Sequence, residues 1–280
     1  FKNSKIIMKI NILNKLGIMQ GRLVPREIKS RIQSFPWKNW KKEIHLAKKN
    51  KIKYIEWTLD YRNFMLNPLI QNPILVKKIL KESNIKLNSI TADFFMQEPV
   101  WDKNGQKTHF FLLKLLSICN KYNIEFIVIP LVDNSSVKKK NMNKVIKYFK
   151  SLKKNNFLKK TKILFEVDLT PNKINSFINS LGKTFGINYD TGNSAFHGYK
   201  FQDEKKYFDK VHNVHIKDRK KGGQTVRLGK GDVNFNILFE YLKKIKYNKG
   251  LILQTFIPKN KEKVLKETII NTNFIRKIYG

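Results

Sequence analysis

Four side chains suggest chemistry by their types and spacing. Glu166 lies at the end of KILFEV (Lys162–Val167) and Asp190 at the end of FGINYD (Phe185–Asp190). His215 lies in VHNVHIKD (Val211–Asp218) and Gln254 in LILQTF (Leu251–Phe256). Side chains alternate between the two faces of an extended chain. Glu166 therefore shares a face with Leu164, Asp190 with Asn188, His215 with Asn213 and Lys217, and Gln254 with Ile252. Two carboxylates, an imidazole and an amide oxygen form a mostly hard donor set. It suits Mn²⁺ or Mg²⁺ and also accepts Zn²⁺ or Co²⁺. One such residue alone more often hydrogen-bonds a loop, but four of the same parity argue for a shared ion. Glu56 in KYIEW and Asp93 in KLNSITAD occupy equivalent places on two further runs.

Converging these groups needs strands that end at one mouth. Eight short apolar or β-branched runs are present: 15–20, 53–57, 86–93, 125–130, 162–167, 185–190, 211–218 and 251–256. Amphipathic stretches such as WKNWKKEIHLAKKN and NMNKVIKYFKSLKKN separate them. Strand–helix alternation implies a parallel sheet. Eight such units in one chain of 280 residues imply an α/β fold, a single (β/α)₈ TIM barrel spanning 1–280, with 1–14 as an extension outside the barrel core. An open doubly wound sheet would want a glycine fingerprint after the first strand, and GIMQGRLVP is not one. In a barrel, active groups belong at the C-terminal strand ends, where the parity places them.

The formal charge is +36. That would favour nucleic acid or an acidic surface as a partner. However, only seven of the 57 basic residues are arginines, the residue suited to gripping phosphate, and the lysines are spread over every expected helix. No specific nucleic-acid partner and no membrane partner is therefore expected, although weak salt-sensitive sticking is. No apolar run approaches the roughly 20 residues of a membrane span. The start lacks the continuous apolar core of a signal peptide, and Met8 is a candidate start. Cys119 is read as a buried small hydrophobe. One cysteine and no export signal lead to an expected cytoplasmic location.

Smaller signals refine the site. Trp37, Trp57 and Phe94 lie near strand ends, placed to wall a pocket, whereas Trp40 has core spacing. His197 in GNSAFHGYK follows the sixth strand and is placed to reach the mouth. His45 and His109 read as surface groups, and His212 as an outward structural one. VHIKDRKKGGQTVRLGKGDVNF contains no GxxxxGK[ST], so it is not a P-loop. Its glycines allow sharp turns and close backbone approach.

GIMQGR, YIEW, ITADFF, PLVDNSS, NYDTGNSA and HIKDR followed by VRLGKGDVNF resemble the sugar phosphate isomerase/epimerase family of the xylose-isomerase-like barrels. The resemblance runs through nearly the whole chain. It implies the same barrel, one divalent metal held by Glu166, Asp190, His215 and Gln254, and a sugar or sugar phosphate as substrate. A homodimer is expected by analogy. Arg227 matches an arginine that contacts substrate in the ketose 3-epimerases. Glu56, Asp93, Trp57 and His197 complete the expected substrate-binding set. The implied chemistry is proton transfer next to a carbonyl through a metal-held enediolate, with Glu166 as base. The 3-epimerases use a second glutamate where this chain has Gln254, and an amide cannot shuttle a proton. Candidates for the second acid/base are Lys217, Asp218, Asp93 and Glu56, with Lys217 foremost. A metal-dependent dehydratase acting on a sugar or cyclitol is the alternative. An endonuclease IV-like nuclease fits less well, because it needs a histidine-rich three-metal cluster and the chain has five histidines.

Overall fold

The computed structural model describes residues 12–28, 33–60, 63–102 and 105–279. Met8 and most of the expected extension lie outside the described residues. The eight expected runs form strands. These are β1 (Leu16–Met19), β2 (Tyr54–Thr58), β3 (Lys86–Thr91), β4 (Phe126–Leu131), β5 (Lys162–Val167), β6 (Phe185–Asp190) and β7 (Val211–Ile216). A small hairpin, β8 (Asp218–Arg219) with β9 (Thr225–Val226), precedes the last barrel strand, β10 (Gly250–Leu253). The barrel closes in the order β1-β10-β7-β6-β5-β4-β3-β2. Every pairing in it is parallel. The chain is thus a (β/α)₈ barrel.

The helices follow from sequence spacing. In Met142–Lys154 the buried residues are Val145, Phe149 and Leu152, steps of four and three that make one apolar stripe, while the lysines cover the opposite face. Asn72 and Asn234 cap Pro73–Glu82 and Phe235–Lys244 by accepting from the N–H of Leu75 and Ile237. The main core lies between sheet and helices. Phe165, outward on β5, meets Phe149, Phe177 and Phe185 at ring distances of 4.7, 5.6 and 5.8 Å. Each such pair contributes about 0.5–1.5 kcal/mol beyond the burial of its area.

Inside the barrel the side chains form layers. Phe126, Val128 and Leu164 make a small apolar floor, separate from the outer core. Polar groups lie above it: Glu56, Ser89, Asn188 and Asn213, all buried. His212 corrects an expectation. A register shift between Ile187 and Asn188, where β6 meets β7, breaks simple alternation. His212 is partly buried beside Phe126, not turned to the outer face. Burial and the charges of Lys249 and Lys162 push its pKa down to about 3.

Candidate metal centre

Glu166, Asp190 and His215 each offer a ligand atom at the C-terminal mouth, and these atoms lie within 4.8 Å of one another. Parallel pairing produces this convergence. Asp190 is registered opposite His215, and His215 opposite Ile252, two residues before Gln254. The donors are hard oxygens and one imidazole nitrogen. Gln254 Oε1 is buried with no hydrogen-bond partner, as is Asp190 Oδ2, although the latter lies 2.6 Å from the Lys217 ammonium. Buried oxygens of this kind are costly unless a cation or donor satisfies them. The residues present therefore fit a divalent ion.

The chain orients each ligand from behind. His215 is fully buried; its Nε2 lies 2.7 Å from Glu56 Oε1 and its Nδ1 3.4 Å from Glu166 Oε2. A carboxylate behind one ring nitrogen fixes the ring and leaves the other to face the site. Glu56 is itself held by Ser89 Oγ at 2.7 Å and Asn213 Nδ2 at 2.9 Å. Burial opposes a charged ring at His215, but Glu56 and Glu166 together raise its pKa to about 10, so an ion bound at this ring would have to displace one of its protons. Glu166 accepts from Asn193 Nδ2 at 2.7 Å and Asn188 Nδ2 at 2.9 Å. Burial disfavours its charge, yet His215, Lys217 and Asn188 outweigh that and lower its pKa, so it is ionised at neutral pH. Asp190 shows the opposite balance. Burial outweighs the attraction of Lys217, Glu166 adds repulsion, and its pKa is raised. Asp190 Oδ1 also accepts from the N–H of Asn193 at 2.9 Å, so it caps the helix Thr191–His197.

Lys217 enters the site as the ion-pair partner of Asp190. Its stem lies against Gly192, where an added Cβ would come 2.7 Å from Lys217 Cγ. A larger residue at 192 would have to push the Lys217 stem aside.

At the mouth, Asp93 Oδ1 accepts from Thr91 Oγ1 at 2.9 Å and Oδ2 from Gln33 Nε2 at 2.6 Å. Burial raises its carboxyl to about 6 despite the Thr91 hydrogen bond, helped by the charges of Glu166 and Glu56. Gln33 Oε1 accepts from Gln254 Nε2 at 2.8 Å and from Arg22 Nη2 at 3.3 Å. Neither Arg22 nor Gln33 was evident as a site residue in sequence. GIMQGR marked the region but not the inward turn of its arginine, and Gln33 follows a long loop with no periodic signal. Asn193 was equally hidden, although its place three residues after Asp190 is the spacing of a helix cap.

Four expected residues are placed differently. Trp57 has no exposed surface; it packs outside the barrel on Phe35 and Trp40 and donates to Asn67. It does not wall the mouth. Arg227 donates from Nε to Glu267 Oε1 at 2.7 Å and from Nη2 to Glu267 Oε2 at 2.5 Å, so it clamps the C-terminal helix instead of reaching over the site. Glu56 lies beneath the ligand layer, behind His215. Asp218, a candidate base, is fully buried and accepts from the N–H groups of Gly229, Gly231 and Val233, so it organises the glycine-rich loop. His197 does lie at the site's edge, stacked on Tyr199 and lining a small cavity with Glu166 and Asp190.

Fold and cluster together define a (β/α)₈ barrel with a candidate metal centre at the C-terminal mouth. The model of the family described as xylose isomerase-like TIM barrel matches residues 44–277, and the chain belongs to that family. Similar solved structures share the fold at low identity. D-psicose 3-epimerase from Clostridium cellulolyticum H10, solved with D-tagatose, is 14% identical, with a TM-score of 0.70, over 95% of this chain and 99% of that one. A xylose isomerase-like TIM barrel protein from Mycobacterium smegmatis, solved with magnesium, is 14% identical, with a TM-score of 0.68, over 94% and 97%. The IOLI protein, solved with a zinc atom, is 16% identical, with a TM-score of 0.71, over 95% and 99%. No curated protein matches the chain in sequence.

Proposed function

We propose that the protein is a divalent-metal-dependent isomerase or epimerase of a sugar or sugar phosphate. The convergence of Glu166, Asp190 and His215 within 4.8 Å carries this reading. These three, with Gln254 Oε1, would hold the ion; when bound, it supplies Lewis-acid polarisation of a carbonyl and acidifies the neighbouring C–H. Glu166 is the base. It is ionised and held by two asparagine amides, so its oxygens are oriented before substrate arrives. The second acid/base is Asp93 in place of a second glutamate. Its carboxyl, raised to about 6, can carry or release a proton near neutral pH. Lys217 holds Asp190 and neutralises part of the site's negative charge. Return of the proton to the neighbouring carbon gives isomerisation, and its return to the opposite face gives epimerisation. The folds solved with D-tagatose, magnesium and zinc support a sugar substrate and a metal.

The experiment combines metal content with a panel of sugars and sugar phosphates in deuterated water. About one equivalent of metal and deuterium in recovered substrate are expected. A dehydrated product would assign the dehydratase chemistry instead. Absence of both metal and exchange across the panel would reject the reading.

A further inference from the structure

Arg22 lies in the loop after β1 and is 2% exposed, yet neither its Nε nor its Nη1 has a hydrogen-bond partner. None of the ion pairs among the described residues includes it. Glu43, a nearby carboxylate, is already engaged by the N–H groups of Gly21 and Leu23. Burial still pushes the guanidinium down to about 10 although the charges of Glu43 and Asp93 attract it, and neither carboxylate is in ion-pair contact with it. Among the described residues its side chain makes one hydrogen bond, from Nη2 to Gln33 Oε1, and it is long at 3.3 Å. The same oxygen takes the Gln254 amide at 2.8 Å. Two donors, one of them charged, therefore converge on a single neutral acceptor beside the candidate metal centre. Thr58 Oγ1, at the end of neighbouring β2, is also buried without a partner.

We propose that Arg22 and the Gln254 amide form the binding site for an anionic group of the substrate, a phosphate or a carboxylate, in the place held here by the Gln33 side-chain oxygen. The proposal rests on the isomerase reading for the identity of the substrate but not for the anion site itself. It also explains the amide at 254. A glutamate there would repel the incoming anion and pair with Arg22, whereas glutamine presents an N–H to the anion and keeps its oxygen for the metal. An arginine fork fits the two oxygens of such a group better than a surface lysine does.

The test uses inorganic phosphate as probe, titrated calorimetrically into the purified protein at near-physiological ionic strength to screen the surface lysines. One saturable site per chain is expected. Arg22→Met should weaken it at least tenfold, Arg22→Lys less, and Gln254→Glu as much as Arg22→Met. Lys150→Gln, on an exposed helix face, should leave it unchanged. Without phosphate, Arg22→Met should melt no lower than the parent, because it removes a buried charge that desolvation disfavours and that no carboxylate contacts directly; a purely structural arginine would melt lower. Equal phosphate affinity in parent and Arg22→Met, or no saturable site in the parent, overturns the proposal. Competition separates the sources. Displacement of phosphate by a ketose phosphate assigns a phosphate ligand, displacement by an aldonate assigns a carboxylate, and displacement by neither overturns the proposal. Phosphate binding without solvent-proton exchange on any sugar removes the isomerase reading alone. Exchange on a neutral sugar without a phosphate site removes the anion site alone.

Discussion

Glu56 has no exposed surface, yet it bears on the site through His215. Its carboxylate holds Nε2 so that Nδ1 faces Glu166. Outer partners of this kind typically change metal affinity by about 10–100-fold. Glu56→Gln is therefore expected to weaken metal binding by about that factor while the barrel stays folded, as read by metal titration and circular dichroism. Asp93 makes a different prediction. It lies at the mouth and is not among the three clustered ligands. Asp93→Asn should keep the metal and lose about 10²–10⁴ in proton exchange, the usual contribution of general acid–base groups. Unchanged exchange in that variant would move the second proton-transfer role to another group. Arg227 teaches caution about motif position. Its number suited substrate contact, but Glu267 on the last helix takes its fork.

At the scale of elements, the loop after β1 depends on Glu43, from the helix Trp40–Lys49. Its carboxylate is fully buried and receives the N–H groups of Gly21 and Leu23, on either side of Arg22. Burial raises its pKa to about 7 against the pull of those N–H groups and Arg22. The unfolded chain holds this proton less tightly, with a pKa near 4.5. Between these values the folded state binds more protons, so this group's contribution to stability falls as pH rises. The loss is at most about 3 kcal/mol, at 1.36 kcal/mol per pKa unit. Glu43→Gln should flatten the pH dependence of Tm across that window, with its difference from the parent growing toward neutral pH. The glycine-rich loop after β7 is built around Asp218. A Cβ on Gly231 would fall 2.0 Å from Asp218 Oδ1. Gly231→Ala is expected to displace that carboxylate and cost about 1–3 kcal/mol, comparable to stranding a buried hydrogen-bonded group. Urea unfolding measures it.

For the whole molecule, a metal that binds the folded barrel but not the unfolded chain must stabilise it. Free metal at about 100 times Kd adds about 2.7 kcal/mol. Chelator should lower Tm and magnesium or manganese restore it; a Tm indifferent to both would argue against the shared ion. The net charge of +36 acts separately. The lysines coat exposed helix faces, as in Met142–Lys154. Binding to a random DNA duplex should therefore be weak and fall steeply with salt, as fluorescence anisotropy would show. No helix among the described residues is long and apolar enough to cross a membrane.

Local pattern determined the eight strands and the shared face of Glu166, Asp190 and His215, because side-chain alternation is a property of each extended segment, and the strand–helix alternation implied their parallel order. Residues 162–167 and 185–190 were read to their ends, and the other runs to within a few residues. Parity failed at His212, where a register shift between neighbouring strands outweighs alternation. Parity with Glu56 already put Trp57 on the outer face, where Phe35 and Trp40 cover it; nearness to the strand end was the misleading signal. Only the tertiary structure paired Lys217 with Asp190, Arg227 with Glu267 and Asp218 with its glycine loop. Only it brought Arg22, Gln33, Asp93 and Gln254 together. Those contacts join residues up to 221 positions apart, as Gln33 and Gln254 are. Closure of the barrel, which sets strand β1 beside β10, is what makes them neighbours.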